Sequence, residues 1–249
     1  MGITPFYLRY HMGFITAIQF GKEIWKLTER IDETMVAINS AMTYLAEQYT
    51  VNDMITENTR FLFLLESPHK NEVNYGVPVA GSSGIAMTKH LLGDAYGSLA
   101  LGRLLLTNQQ VEDSNPMLLR IGLMNSCPIP MQASAYEEAD QRKYDDFIAL
   151  LEKIRGSMDK KRKGEQEQEL LSIIVNMLRQ RLLLWQDQSL VIVPCGRFAM
   201  AMWQLAKVSS AYWRVIEGVP HPSYGGFSQV RYQETVAIMK DCFSEVMQH

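Results

Sequence analysis

The sequence is poor in cysteine, has no long apolar run and has no surplus of positive charge, and each shortage removes a class of protein. Its three cysteines, Cys127, Cys195 and Cys242, lie far apart with no CxxC pair. That spacing offers neither a disulfide framework nor a zinc or iron–sulfur ligand set, so no metal and no cofactor is expected. The N-terminal 25 residues carry an aromatic cluster (Phe6, Tyr7, Tyr10, Phe14, Phe20, Trp25), a pattern of packing, but His11, Lys22 and Lys26 interrupt it well short of membrane-spanning length. With no basic-then-apolar leader either, the expectation is a soluble, intracellular, cytoplasmic protein. A net charge of −3 at pH 7 argues against a protein that coats nucleic acid, while leaving room for a small local footprint. Internal repeats and low-complexity linkers are also absent.

What is present is the composition of a globular α/β protein. The chain has 249 residues, 47% hydrophobic and 20% charged, enough for one sizeable core. A single domain over 1–249 is expected, with residues 1–55 as a helical extension packed on a core at 61–247. The chain is organised around residues 61–84, FLFLLESPHKNEVNYGVPVAGSSG. Five apolar residues, 61–65, have the length of a buried central strand. The run stops at Glu66-Ser67-Pro68-His69, because Pro68 cannot donate to a ladder and biases Ser67 away from helix. A small-residue loop from Gly76 to Gly84 follows and leads into a helix from about Ser83 to Gly93.

The same alternation continues along the chain. Helical spacing predicts a helix over 32–49, another over 99–106 and an exposed loop over 108–116. A second apolar run, 117–124, ends at Asn125-Ser126-Cys127-Pro128. Ser134 to Glu137 has the spacing of a capping box for a helix reaching about Ile154. A basic turn at 160–163 (KKRK) and a long helix over 165–185 come next. Residues 190–193 and 213–216 predict two more strands, the first followed by a helix over 197–207. Residues 229–247 form the closing helix. Strands alternating with helices predict a three-layer α/β/α fold with a central, mostly parallel four-stranded sheet and right-handed crossovers. In such a sheet the strand ends at Glu66-Ser67-Pro68, Asn125 and His221-Pro222-Ser223 share one edge, the usual place for a ligand. Taken singly, each has a structural explanation as a turn or loop residue.

Taken in order, these elements resemble the uracil-DNA glycosylase superfamily, nearest to its GEAPG-type branch. Leu65-Glu66-Ser67-Pro68-His69 stands where that branch has Gly-Glu-Ala-Pro-Gly. The segment 76–84, GVPVAGSSG, stands where it has Gly-x-Pro-Phe-x-Gly-x-x-Gly. Leu123-Met124-Asn125-Ser126-Cys127-Pro128 resembles its asparagine-bearing strand end, Val191 to Ala199 its strand–Gly–helix element, and His221-Pro222-Ser223 its His-Pro-Ser motif. The resemblance covers about 60–247 and implies a DNA repair hydrolase that cleaves the N-glycosidic bond of uracil or a related damaged base. It implies catalytic roles for His221, Asn125, Ser67 and Glu66, and contact with the base by Pro68, Val79 and Asn125. It also implies phosphate and DNA contacts by Gly81, Ser82, Ser83 and Ser223, with Tyr224 or Phe227 as the wedge that replaces a flipped nucleotide.

The chemistry suits these residue types. A carboxamide offers the acceptor and donors that tell uracil's O4 and N3–H from cytosine, and an imidazole donor near the base O2 stabilises the departing anion. The departures are equally specific. Ser67 stands where several branches have Asp, and Glu66, its neighbour in extended chain, is expected to point the other way. Val79 replaces a stacking Phe, a loss of roughly 1–3 kcal/mol. The four iron–sulfur cysteines of the branch are missing. A second reading is therefore an inactive or redirected member of the fold that binds a nucleobase, a nucleotide or a partner protein. A third is a flavodoxin-like α/β protein using the 81–84 turn for phosphate, weakened by the absence of GxGxxG and GxxxxGK[ST]. A basic rim containing Lys70, Lys89, Arg197 or Arg231 would favour DNA.

Overall fold

The computed structural model describes residues 33–248 except Gly97 and 159–162. The N-terminal aromatic cluster, most of the expected helical extension and most of the basic turn lie outside the described residues. The chain divides between Thr43 and Tyr44 into two compact units, and that boundary falls inside helix α1 (Glu33–Tyr49). The candidate site belongs wholly to the second unit.

That unit is α/β, built on a four-stranded sheet of order β2-β1-β3-β4. The strands are β1 (Phe61–Leu65), β2 (Ile121–Asn125), β3 (Leu190–Pro194) and β4 (Trp213–Val215). Every pairing is parallel, with Leu65 opposite Asn125, Leu64 opposite Pro194 and Ile192 opposite Val215. The expected alternation of strands and helices is thus realised as an all-parallel sheet. An isolated antiparallel bridge between Met54 and Leu123 covers the outer edge of β2, so that edge is not left open for another strand.

β1 is central because each of its residues can be buried. Phe61, Phe63 and Leu65 share one core cluster with residues of α3 (Ser82–Leu92), α4 (Leu101–Gln109) and α10 (Gln233–Gln248). Phe243 of α10 sets its ring 5.2 Å from Phe61 and 6.4 Å from Phe63. Leu62 and Leu64 alternate to the other face and are equally buried, so the strand is covered on both sides, as a parallel strand requires. Elsewhere α8 (Glu165–Leu183) packs against both α7 (Asp145–Gly156) and α9 (Gly196–Ala206), and Ile154, Leu178 and Met202 of these helices are fully buried.

Between the end of β1 and the small-residue loop stands the short helix α2 (Lys70–Tyr75), which stops at Gly76 with φ 68. Several expectations need correction. The run 117–124 is not one strand: Asn115 caps α5 (Pro116–Leu119) by accepting from the Met117 N–H, and the strand begins only at Ile121. Asn108 is not in an exposed loop. It is buried at the end of α4, and its amide exchanges two hydrogen bonds with the Asn115 backbone at 2.7 and 3.1 Å, closing the loop between them. The capping box at Ser134 does not form, because the Tyr136 hydroxyl is drawn inward to donate to the Pro130 carbonyl. The helix begins instead as α6 (Glu138–Lys143) and breaks at Tyr144 before α7. The closing helix starts at Gln233 after two 3₁₀ turns.

The loop between α2 and α3 is held by close approach of backbone to backbone. An added Cβ on Gly84 would lie 1.7 Å from the Val79 carbonyl oxygen. Gly84→Ala is therefore expected to destabilise the fold by about 3 kcal/mol or more, since backbone cannot step aside as a flexible side chain can. Gly156→Ala, at a helical position with open space around it, should be neutral or stabilising by up to about 1 kcal/mol. Urea unfolding of the two variants checks the contrast, and equal midpoints would contradict it.

Candidate functional site

The carboxyl ends of the strands open onto a cavity of about 540 Å³, within the range of small-ligand sites. It lies where the sheet invites one. The connection from β1 leads to β2 on one side and that from β3 to β4 on the other, leaving a crevice between the loops that leave them. The lining includes Glu66, Ser67, Val79, Gly81, Ser82, Ser83, Asn125, His221, Ser223 and Tyr224, so the structure brings together residues from all three expected strand ends.

Asn125 is the last residue of β2 and is 1% exposed. Neither its Oδ1 nor its Nδ2 makes a hydrogen bond of normal geometry, although both atoms are fully buried and the amide stands near the Glu72 carboxylate. Its backbone, by contrast, is firmly held. Arg181 of α8 donates to the carbonyls of Asn125 at 2.8 Å and Ser126 at 2.9 Å, and is itself fixed by Asp53 at 2.8 Å. Leaving a buried polar group without a partner costs about 1–3 kcal/mol, and native proteins rarely accept that without a reason.

Glu72, from α2, forms the neighbouring wall. One carboxylate oxygen accepts from the His69 N–H at 2.8 Å and the other from the Val79 N–H at 2.7 Å. Burial raises its pKa above the ordinary carboxylate value, opposed by those two N–H groups and by the nearby Asn125 amide. The bond to Val79 matters because Val79 has φ 45, the left-handed region that a β-branched residue ordinarily avoids. Such a conformation costs of order 1–3 kcal/mol and persists only where the surroundings impose it. Here Glu72 and Gly84 impose it.

His221 sits beyond β4. Gly196, with φ 88 at the start of α9, leaves room for it: a Cβ there would lie 2.9 Å from the His221 Cβ. The Ser223 N–H donates to His221 Nδ1 at 3.2 Å, so Nδ1 is the acceptor and the ring proton is on Nε2. Burial is the main cause that lowers the His221 pKa below 6.5; Glu66 pulls it up and Arg155 pushes it down. The imidazole is thus neutral near pH 7, with an N–H to give. Ser223 also shares a 2.7 Å hydrogen bond with Ser83 in the first turn of α3, joining the motif loop to that helix.

Three positions differ from the sequence reading. Glu66 does not point away from Ser67; both line the cavity, because the pleat ends at Leu65 and the Pro68-directed loop no longer alternates. Phe227 is not a wedge. It is 4% exposed within the core cluster, with the His90 ring against it, because left-handed Tyr224 and Gly225 fold the chain back. Tyr224 alone is available at the mouth, 100% exposed. Pro68 is buried but is not part of the cavity wall.

Glu72, Arg155, Arg181 and Gln132 are contributors that the motifs did not reveal. Only Glu72 carried a signal, three residues after His69 at the spacing of a helix N-terminus. None of Lys70, Lys89, Arg197 and Arg231 lines the cavity; the guanidinium there is Arg155, paired with Glu66. Among the described residues no cluster of His, Cys, Asp or Glu is arranged to hold a metal, and no helix is long and apolar enough to cross a membrane. The chain matches no known family model and no curated protein sequence.

Two outcomes follow. Asn125→Leu removes a buried amide that makes no hydrogen bond of normal geometry, but also the group beside the Glu72 carboxylate, so stability should stay level or rise by up to about 1 kcal/mol; a clearly destabilised variant in denaturant unfolding would mean the amide is structural. His221, with its folded pKa depressed, leaves the folded state with fewer bound protons than the unfolded state between the two midpoints. Its contribution is therefore kept above pH 6.5 and lost as pH falls through the folded value. Stability measured against pH should show this acid loss in the native protein and not in His221→Gln, a comparison that cancels the opposite trend of Glu72.

Proposed function

We propose that the cavity binds a nucleobase and that the protein is a uracil-DNA glycosylase-like hydrolase acting on uracil or a related damaged base in DNA. The observation that carries this reading is the buried carboxamide of Asn125 at the cavity wall, which makes no hydrogen bond of normal geometry. A planar base edge with adjacent donor and acceptor would satisfy both atoms at once, and a site built to hydrogen-bond its ligand rejects analogues that cannot return the bonds. The finer assignment of the sheet to the glycosylase-like three-layer fold belongs to the same proposal.

Each residue then has a task. Asn125 reads the base edge. The Nε2–H of His221 donates to the base oxygen on which negative charge gathers as the N-glycosidic bond breaks. The Glu66 carboxylate faces the sugar, where cationic character develops, and Ser67 beside it holds the attacking water. Val79 covers part of the base in place of an aromatic platform. The Gly81-Ser82-Ser83 start of α3, with Ser223, receives a flanking phosphate. Tyr224 at the mouth is the wedge that fills the place of an extruded nucleotide.

A second reading, a pocket that binds a base or nucleotide without cleaving it, draws on two observations. The four expected basic residues do not line the cavity, and the one guanidinium there is neutralised by Glu66. A fluorescent oligonucleotide with a single uracil separates the readings. Alkali-sensitive breaks are expected with the native protein, reduced roughly 10²–10³-fold by His221→Ala and lost with Asn125→Ala. No breaks on uracil or on a panel of damaged bases would overturn the hydrolase reading.

A further inference from the structure

We infer that Arg155, which lies on α7 outside every motif of the sequence, is a positioning residue for the candidate site that ties Glu66 to the cavity wall beside His221. Arg155 Nε donates to Glu66 Oε1, and both side chains line the cavity that His221 also lines. The pair sits at the mouth, with the Arg155 side chain 42% exposed and that of Glu66 21%. An ion pair this exposed adds little to stability, so its value lies in what it does to its neighbours.

Those neighbours are few. Of the titratable groups on the wall besides His221, Glu66 follows β1, His69 and Glu72 belong to the start of α2, Arg155 comes from α7, and Tyr224 lies three residues past His221. On the element that touches the His221 Cβ, the charged residue is Arg197, which is exposed and does not line the cavity. Glu66 and Arg155 act on His221 in opposite senses. With Arg155 gone, the Glu66 carboxylate alone would favour a proton on His221. Protonated, Nδ1 becomes a donor and can no longer accept from the Ser223 N–H. The bond that fixes the imidazole and links it through Ser223 to Ser83 would then be lost. Arg155 thus holds the carboxylate at the wall while favouring the neutral imidazole in the same small volume. The inference rests on the base-site reading only for the use to which the neutral imidazole is put.

The test is the NMR titration of His221 in the full chain, with thermal unfolding as a check of the fold. The midpoint should rise in Arg155→Gln, fall in Glu66→Gln and stay close to native in Arg155→Lys, which keeps the charge. The rise should shrink with added salt, because the pair is partly exposed. An unchanged midpoint in folded Arg155→Gln, or a rise as large in Arg155→Lys, overturns the inference. If Arg155→Gln does not fold, Glu66→Gln decides it, and an unmoved midpoint there has the same meaning. No substrate enters the measurement. Failure of uracil cleavage alongside the expected titration would therefore reject base excision and leave the role of Arg155 standing.

Discussion

Leu65 pairs with Asn125 on one side of β1, and Leu64 pairs with Pro194 on the other. The site depends on that register. Because the strands are parallel and end level, the residues just past each of them are delivered to one edge, although they are separated by more than 150 positions in the chain between Glu66 and His221. A shift of one residue would turn Asn125 to the opposite face of the sheet, since side chains alternate. The register is fixed by burial on both faces of β1, where Phe61, Phe63 and Leu65 meet one set of helices and Leu62 and Leu64 are buried on the other side. The hydrophobic core therefore supplies the precision of the polar edge.

That edge carries unfavourable terms that the core has to offset. Asn125 is buried with an amide that makes no hydrogen bond of normal geometry, Glu72 is a carboxylate in a poorly solvated place, and Val79 is β-branched in the left-handed region. The buried amide and the left-handed Val79 are each worth about 1–3 kcal/mol against folding, a substantial fraction of the 5–15 kcal/mol net stability of a typical domain. They are also linked in space. Glu72 holds the Val79 N–H and stands beside Asn125, while Arg181 and Asp53 pin the backbone of Asn125 from the far side. Strain is thus concentrated around one cavity, held at its wall by Glu72 and behind it by Arg181, as preorganisation of a binding site would require.

The strands and the convergence of their ends were legible in the sequence because both depend on short-range signals: apolar runs of strand length, each stopped by proline or a polar cluster. What was not legible depends on long-range contact. Ser134 has the spacing of a cap, yet the pull of the Pro130 carbonyl on the Tyr136 hydroxyl moves the helix start to Glu138. Phe227 follows the His-Pro-Ser motif like a surface residue, yet two left-handed residues return it to the core. Glu66 departs from the expected direction because alternation holds only while the strand lasts. Arg155 and Arg181 lie on helices whose sequences mark nothing beyond an exposed cation, and only the tertiary packing brings them to the strand ends.

The charges at the cavity are settled internally, and this constrains what can enter. Glu66 is answered by Arg155, Glu72 by two backbone N–H groups, and His221 is neutral. A multiply charged ligand would have to break one of these arrangements or find its counter-charge at the rim. On the proposed reading, a neutral, planar ring would meet the amide of Asn125 and the Nε2–H of His221 without breaking these arrangements, and so at the lowest electrostatic cost. Any phosphate attached to such a ring would reach the serines at the start of α3, where N–H groups and hydroxyls, not lysines, receive it. On the reading proposed above, the cavity would select a ring through hydrogen bonds made at its floor and take a phosphate only near its edge. That division would separate recognition of a base from the long-range attraction that a basic surface provides, as a net charge of −3 requires.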